Sequence, residues 1–408
     1  MSCPQCQAGV CSHCLSLCLS VDIIAEKVLS ALCESNYQVL RVSLQLNLPP
    51  SFVIRRRLST TNVDVKEMLR SKIAKHISSN GFELHSPGMP EDIVVELQVT
   101  HQEAEDQLKT LFQKIVPTTR QSKNKRHKNN DMSQTDVDII LKRATDEDLQ
   151  SILETSLATE CALHVNISRQ SVFVTGRYMK FARGVSQSPW TIGNERHGSG
   201  CVSDFIALDI ESKYSAESHK FHGAGREDID VRMLGNGRPF VLELINCKVL
   251  PTDEGLMAIQ ENVINTNEAG SVMVRELKLS DKSCMTVVVA GETNKRKQYS
   301  AIVWSAKKLS KLELEKKLDC IQDMEIEQNT PVRVLHRRTS MYRTKIIHSC
   351  RCEYINSHFF IMRLEASAGT YIKEFVHGDF GRTVPSVGSL LDSNTDIIQL
   401  DVEAVIMS

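Results

Sequence analysis

Gly225-Arg226-Glu227-Asp228-Ile229-Asp230-Val231-Arg232 places three carboxylates and two guanidinium groups within eight residues. A cation held beside a carboxylate keeps it ionised, ready to act as a nucleophile or a base. Asp228 has Arg226 and Arg232 as local candidates for that cation. Gly223 and Gly225 lead into the stretch, and Gly235, Gly237 and Pro239 lead out of it, ahead of the apolar run FVLELI at 240–245. The pattern reads as a charged loop delivered onto the edge of a buried strand. The competing reading is a solvated salt-bridge loop, since exposed ion pairs are common and weak. Asp230 competes with Asp228 for the chemical role, because residues two apart on an extended strand share a face.

The rest of the chain sets the frame. Its 408 residues exceed one ordinary core and imply about two domains. Charged residues make up 24% and the net charge is −1, a globular balance. Nucleic acid would therefore be held by local patches and not by a global field. No apolar run approaches the ~20 residues of a membrane span, so no membrane association is expected. The first residues hold cysteines and no basic-then-apolar leader. The expected compartment is nuclear or cytoplasmic, where the 13 cysteines stay reduced.

Five of those cysteines fall within the first eighteen residues. The pairs Cys3, Cys6 and Cys11, Cys14 make a candidate tetrahedral thiolate set for a structural zinc ion. Only four residues separate Cys6 from Cys11, fewer than in ordinary zinc ribbons. A strained cage, recruitment of His13 or Cys18, a lost site, an iron–sulfur site and free thiols stay open. The remaining cysteines read as inert buried thiols.

Apolar spacing predicts helices over 19–33, 63–77, 135–157, 201–214, 253–265, 309–319 and 371–378. Strands are expected at 37–48, 93–99, 161–165, 172–175, 240–245, 272–277, 285–289, 299–303, 332–336, 345–354, 359–365 and 397–402, with 161–165 and 172–175 as a hairpin. Residues 118–133 carry Arg120, Lys123, Lys125, Arg126, His127 and Lys128 with almost no apolar side chain. They read as a loop: an RNA-backbone contact, a nuclear signal or a solvated linker.

Four segments together resemble the tRNA pseudouridine synthase 10 family. They are GREDIDVRMLGNGRPF at 225–240, KQYSAIVW at 297–304, TPVRVLHRR at 330–338 and AGTYIKEFVHGDFGR at 368–382. They stand in family order, and SQSPW at 186–190 resembles the family's signature at the start of its catalytic domain. The likeness covers roughly 170–408 well and the N-terminal half faintly.

The resemblance implies an α+β chain in three parts. Residues 1–20 are a cysteine-rich zinc knuckle, and 21–180 a THUMP-like RNA-binding accessory domain of α/β type. Residues 181–408 are a pseudouridine synthase catalytic domain, a mixed, mainly antiparallel sheet with flanking helices. It further implies an enzyme isomerising uridine to pseudouridine in the T-loop of tRNA, at position 54 or 55 or both, with no organic cofactor. Asp228 is then the aspartate of the Gly-Arg-x-Asp motif, with Arg226 beside it. Tyr299 matches the family's base-stacking tyrosine and Lys373 the basic residue that pairs with the aspartate. Tyr371 belongs to the Gly-Thr-Tyr-Ile segment, and Leu390 packs on the base. For Tyr299 and Leu390 the plain alternative is a core residue. His336, Arg337, Arg338, His377 and Arg382 are candidate phosphate contacts. A monomer is expected. The rival readings are a non-catalytic RNA-binding protein on the same platform, a zinc-dependent nucleic-acid module, and a glycoside hydrolase. The last needs two cooperating carboxylates and a sugar-stacking aromatic cluster, and aromatics are only 5% of the chain.

Overall fold

The computed structural model describes residues 14–38, 41–58, 64–85, 93–116, 132–154, 157–192, 195–197, 200–266, 270–286, 288, 296–336 and 338–406. The chain divides into two compact units, Met1–Gln170 and Ser171–Ser408.

The first unit runs α1 (Val21–Glu34), β1 (Arg41–Asn47), α2 (Ser51–Leu58), α3 (Val65–Ser79), β2 (Glu83–Leu84), β3 (Ile93–Thr100), α4 (Gln102–Ile115), α5 (Gln134–Arg143), α6 (Asp146–Glu154) and β4 (Ala162–Arg169). Its four strands lie in the order β2-β1-β3-β4. β1 is parallel to both neighbours, and β3 and β4 are antiparallel. α1 turns Ile24, Ala25, Val28 and Leu32 inward, the stripe its spacing predicts. The single helix expected over 135–157 is two helices. The chain breaks at Thr145, whose hydroxyl and Asp148 exchange hydrogen bonds at the start of α6. α2 follows directly on Pro49 and Pro50, where sequence suggests only a strand ending.

The second unit is built on one sheet. Its elements are β5 (Val172–Lys180), β6 (Trp190–Ile192), β7 (Glu195–His197), α7 (Val202–Tyr214), β8 (Ser218–Gly223), β9 (Arg232–Ile245), α8 (Asp253–Ile259), β10 (Val272–Ser280), β11 (Lys297–Ser305), β12 (Gln322–Asn329), β13 (Tyr342–Asn356), β14 (Phe359–Ala366), β15 (Thr383–Val384) and β16 (Thr395–Val405). Short helices at Lys311–Lys317, Ile372–His377 and Val387–Leu391, a π-helical turn at Gln260–Ile264 and 3₁₀ turns at Val332–Val334 and Gly378–Gly381 accompany them. The strand order is β10-β5-β9-β16-β11-β14-β13-β12-β15, with β8 along β9. Every pairing is antiparallel except β9 with β16, which is parallel through Asp401–Arg232 and Val402–Met233. β16 joins two half-sheets, one of strands before residue 281 and one of strands between 297 and 384. α7 and α8 press Val202, Ile206, Ile210 and Leu256 into the same core as Leu242, Leu244 and Val274. Each such side chain contributes about 1.5–3 kcal/mol by leaving water.

Several expectations need correction. The boundary expected at 180 falls at 170, because β5 pairs with β9 and β10 and so belongs to the second sheet. Residues 161–165 and 172–175 are accordingly no hairpin; β4 pairs with β3. The loop expected at 235–239 is strand: β9 runs on through it with Gly235 and Gly237 at positive φ. A Cβ at Gly235 would stand 2.0 Å from the Glu403 carbonyl oxygen, so only glycine lets β9 cross there. Residues 284–286, expected within or beside a strand, are helical. Residues 332–336 hold a 3₁₀ turn and not a strand.

Candidate active site

Asp228 sits in the loop between β8 and β9, where β9 enters the middle of the sheet and not its edge. The loop stands on a buried polar cluster. Glu227, with 1% of its side chain exposed, accepts from Arg238 Nε at 2.9 Å. Tyr178 Oη lies 2.9 Å from Glu227 Oε2, and Arg238 Nη1 donates to the Ala224 carbonyl at 3.0 Å. Gln187 Nε2 donates to Tyr178 Oη and to the Gly225 carbonyl, both at 2.8 Å. Gly225 is held at φ +90, and a Cβ there would meet Arg238 Nη1 at 2.9 Å. Burial, reinforced by the Glu227 charge, drives the Tyr178 hydroxyl far above its ordinary pKa. It therefore stays a neutral donor.

A second support comes from Lys180, which is fully buried. Its Nζ donates to the carbonyls of Val185 at 2.7 Å, Asp228 at 3.1 Å and Ile229 at 3.3 Å. Burial lowers its pKa, while the Glu227, Asp230 and Asp228 carboxylates oppose the shift.

Above this floor the side chains of Asp228 and Asp230 meet cations from far along the chain. Arg333 Nη1 donates to Asp228 Oδ2 at 2.8 Å, and Lys373 Nζ lies 3.4 Å from the same oxygen. Oδ1 takes no hydrogen bond from any described residue. Lys373 bonds more closely to Asp230, at 2.8 and 2.7 Å to its two oxygens. Asp228 is 31% exposed at the side chain and Asp230 58%. Burial alone would raise the Asp230 pKa, but the Lys373 hydrogen bond and charge outweigh it and the net shift is downward. Arg333 also forks onto Glu374, with Nε at 2.7 Å from Oε1. Glu374 is buried on the short helix at Ile372–His377, next to Lys373. Burial opposes the Arg333 charge, yet the Glu374 and Asp228 carboxylates hold it on, and its pKa stands above the ordinary value.

Backbone anchors fix both cations. Gln328, buried beneath, exchanges hydrogen bonds of 2.9 Å with both the N–H and the carbonyl of Tyr371, which caps the helix bearing Lys373. The Arg333 turn is tied by the Val332 N–H, which donates to Asp379 Oδ2 at 3.2 Å.

Sequence therefore names Asp228 and Lys373 as neighbours correctly but supplies the wrong local arginines. Arg232 forks onto Asp401 at 2.9 and 2.6 Å, and Arg226 is exposed. The missed partner is Arg333, inside the quoted segment 330–338 but masked there by its strand-like apolar flanks. Lys180 is missed as well. Tyr299 lies on β11 within the core, 8% exposed, and burial pushes its hydroxyl up to about 12 against the opposing Arg238 charge. Leu390 is half-buried on the helix Val387–Leu391 and packs on the same core. His336 and Arg338 are exposed, Arg382 donates to the Thr330 carbonyl at 2.6 Å, and the His377 ring accepts from the Asp379 N–H at 3.1 Å. Arg337 lies outside the described residues, as do the basic loop up to residue 131 and Cys3, Cys6 and Cys11. Cys14 is buried and packs with Cys18 against Val65. Among the described residues no helix is long and apolar enough to cross a membrane.

The family model described as "Pus10, C-terminal" matches residues 173–406, more than half of the chain. The tRNA pseudouridine synthase Pus10 of Homo sapiens is 43% identical over 60% of this chain and 46% of its own length. That of Thermofilum pendens is 37% identical over 57% of this chain and 52% of its own. The chain thus spans about half the length of these curated relatives. The Drosophila melanogaster Pus10 relative is 30% identical over 97% of this chain and 83% of its own length. Because the matched region takes in the Asp228 loop and the segments carrying Tyr299, Arg333 and Lys373, the chain belongs to the Pus10 family.

Proposed function

We propose that this protein is a tRNA pseudouridine synthase acting on the T-loop, at position 54 or 55 or both, with Asp228 as the reacting carboxylate. The observation that carries the reading is the state of Asp228. It is partly open to solvent, ion-paired with Arg333 at 2.8 Å and Lys373 at 3.4 Å, and has Oδ1 on offer.

Isomerisation breaks the N1–C1′ bond of uridine, turns the uracil and forms a C5–C1′ bond, with the C5 proton lost and N1 protonated. Two routes fit a single carboxylate. Oδ1 of Asp228 attacks C1′, giving an ester that the returning C5 displaces; or it takes the C2′ proton, giving a glycal that is reprotonated after the base turns. The target base must be unstacked to reach such a loop. Tyr299 would support the turning ring where its edge remains open, and Leu390 would pack beside it. Arg226, the exposed arginine of the Gly-Arg-x-Asp motif, and Tyr371 are proposed substrate contacts.

The first unit, with its four-stranded sheet and helices, is proposed as a THUMP-type RNA-docking domain. Of its basic run at 55–57, Arg55 is buried and donates to Gln107 at 2.8 Å, leaving Arg56 and Arg57 toward the surface. A zinc ion on Cys3, Cys6, Cys11 and Cys14 is proposed as structural only and takes no part in the reaction. Nuclear or cytoplasmic residence and a monomeric state go with this reading.

The test is chemical mapping of pseudouridine in unmodified tRNA transcripts incubated with the full chain. New pseudouridine at 54 or 55 is the expected result. Tight tRNA binding without any pseudouridine would replace the reading with that of a non-catalytic RNA-binding protein.

A further inference from the structure

Phe380 is 96% exposed, the most exposed of the large apolar side chains among the described residues. Its surroundings are held by hydrogen bonds. Asp379 and Phe380 both lie in the left-handed region, at φ +46 and +57, where residues with a Cβ are strained and a bulky one is a clear outlier. Such a pair persists only where its neighbours over-determine it. Asp379 does this: it is buried, its carboxylate accepts from the Val332 N–H, and its oxygen lies 3.4 Å from Arg382 Nε. The Gly378 N–H side is closed by the preceding helix, and the Arg382 carbonyl accepts from Asn329 N–H at 2.9 Å. The fold therefore maintains a strained turn whose visible product is a phenyl ring held in water.

The turn lies next to the charged loop site. Val332, which Asp379 grips, precedes Arg333, and Arg333 holds Asp228. The same turn follows the helix carrying Lys373. Two further guanidinium groups, Arg343 and Arg382, converge on Thr330, at 3.3 Å from its hydroxyl and 2.6 Å from its carbonyl. Tyr342 stands 74% exposed beside Arg343. An exposed aromatic among guanidinium groups fits RNA, whose phosphates the cations take while the ring meets the flat face of a base.

We propose that Phe380 stacks on a nucleobase of the RNA next to the uridine being isomerised, filling the space that the unstacked base vacates. The inference rests on the synthase reading for its substrate, and its test separates the two. Phe380→Asn is the informative variant, because asparagine tolerates the left-handed region. The fold should keep or gain thermal stability while the ring is lost. Phe380→Trp keeps a stacking face.

A T-arm RNA carrying 2-aminopurine beside the target uridine is bound to the Asp228→Ala protein, so that the fluorescence reading needs no turnover. Stacking should quench the probe, Phe380→Asn in the same background should restore most of the signal, and Phe380→Trp should quench again. In the active protein, Phe380→Asn should slow single turnover at saturating RNA roughly tenfold. Unchanged quenching and rate with Phe380→Asn overturn the proposal while pseudouridine formation stands. So does a Phe380→Asn protein that keeps RNA quenching and turnover but loses a copurifying protein. If the wild type forms no pseudouridine yet quenching depends on Phe380, the synthase reading falls and the stacking site survives. No quenching by any form overturns the stacking site.

Discussion

Glu227 leaves 1% of its side chain exposed and shares its carboxylate with Arg238 and Tyr178. Asp228, the next residue, leaves 31% exposed and meets two cations through a single oxygen. The partners differ in kind. Those of Glu227 come from β5 and β9, strands paired to one another, and every donor is buried with it. Those of Asp228 come from a 3₁₀ turn and a short helix more than a hundred residues away. Two carboxylates one peptide apart thus divide the labour of the loop. One fixes the backbone in the interior, and the other is held by cations where solvent reaches it. Burial decides which does which, since a carboxylate enclosed on all sides cannot attack anything.

The largest break in this comparison should come from Asp228. Asp228→Ala should lower single-turnover pseudouridine formation by about four orders of magnitude or more, as loss of a nucleophile does elsewhere. Its melting temperature should stay close to wild type, because the side chain is partly exposed. Retained turnover would move the role to Asp230. Glu227→Gln should do the reverse in emphasis. It leaves Arg238 charged and buried without its partner, a loss of roughly 3–5 kcal/mol in denaturant titration. A melting curve like that of wild type would show that the cluster carries no weight.

Arg333 bridges the two regimes, with one arm on buried Glu374 and one on Asp228. Arg333→Gln should reduce kcat roughly a hundredfold, the scale of a lost preorganised donor. Arg333→Lys should recover part of kcat through its charge, though it cannot fork onto both carboxylates. Equal kcat in both variants and wild type would leave Lys373 as the working cation.

The smallest effect belongs to Asp401, which Arg232 and Arg183 hold. Burial works to raise its pKa, but the two arginines prevail and the folded value lies below the ordinary 3.8. Between the folded and unfolded values the unfolded chain binds more protons, so this stabilisation is full above about pH 4 and is lost as acid drops through the folded pKa. Asp401→Asn should melt a few degrees below wild type at pH 7, about 2–4 °C per kcal/mol for a unit of this size. The gap should close as pH falls below 3.8 and through the folded pKa. A gap independent of pH would mean that packing and not charge is at stake.

The parts legible in sequence are those written locally. The alternation in 93–99 and 359–365 gives β3 and β14, and the spacing in α1 and α7 gives helices. The run 225–232 marks the site because glycine and charge are dense there. What escaped is set by distant partners. The Arg232 charge looks available to Asp228 until β16 brings Asp401 across from 169 residues away. Arg333 sits between two valines, which favour a strand reading, yet the segment closes on itself as a 3₁₀ turn and its Val332 N–H donates to the Asp379 carboxylate. Gly235, Gly237 and Pro239 read as a loop, yet the pairing of β9 with β5 carries the strand through them. Lys180 lies beyond the strand expected at 172–175 and escaped notice, yet it is a buried anchor, because three carbonyls converge on its ammonium group.

The placement of β16 bears on how such a chain comes to life on the ribosome. Asp228 belongs to the half-sheet made early in synthesis, and Tyr299, Arg333 and Lys373 to the half made later. The strand that zips the halves together is translated after both. A nascent chain therefore holds two unjoined half-sheets with exposed edges, the situation that invites mispairing. Asp228 gains Arg333 and Lys373 as neighbours only when that strand docks, so the ion-paired loop is assembled only after the sheet is whole.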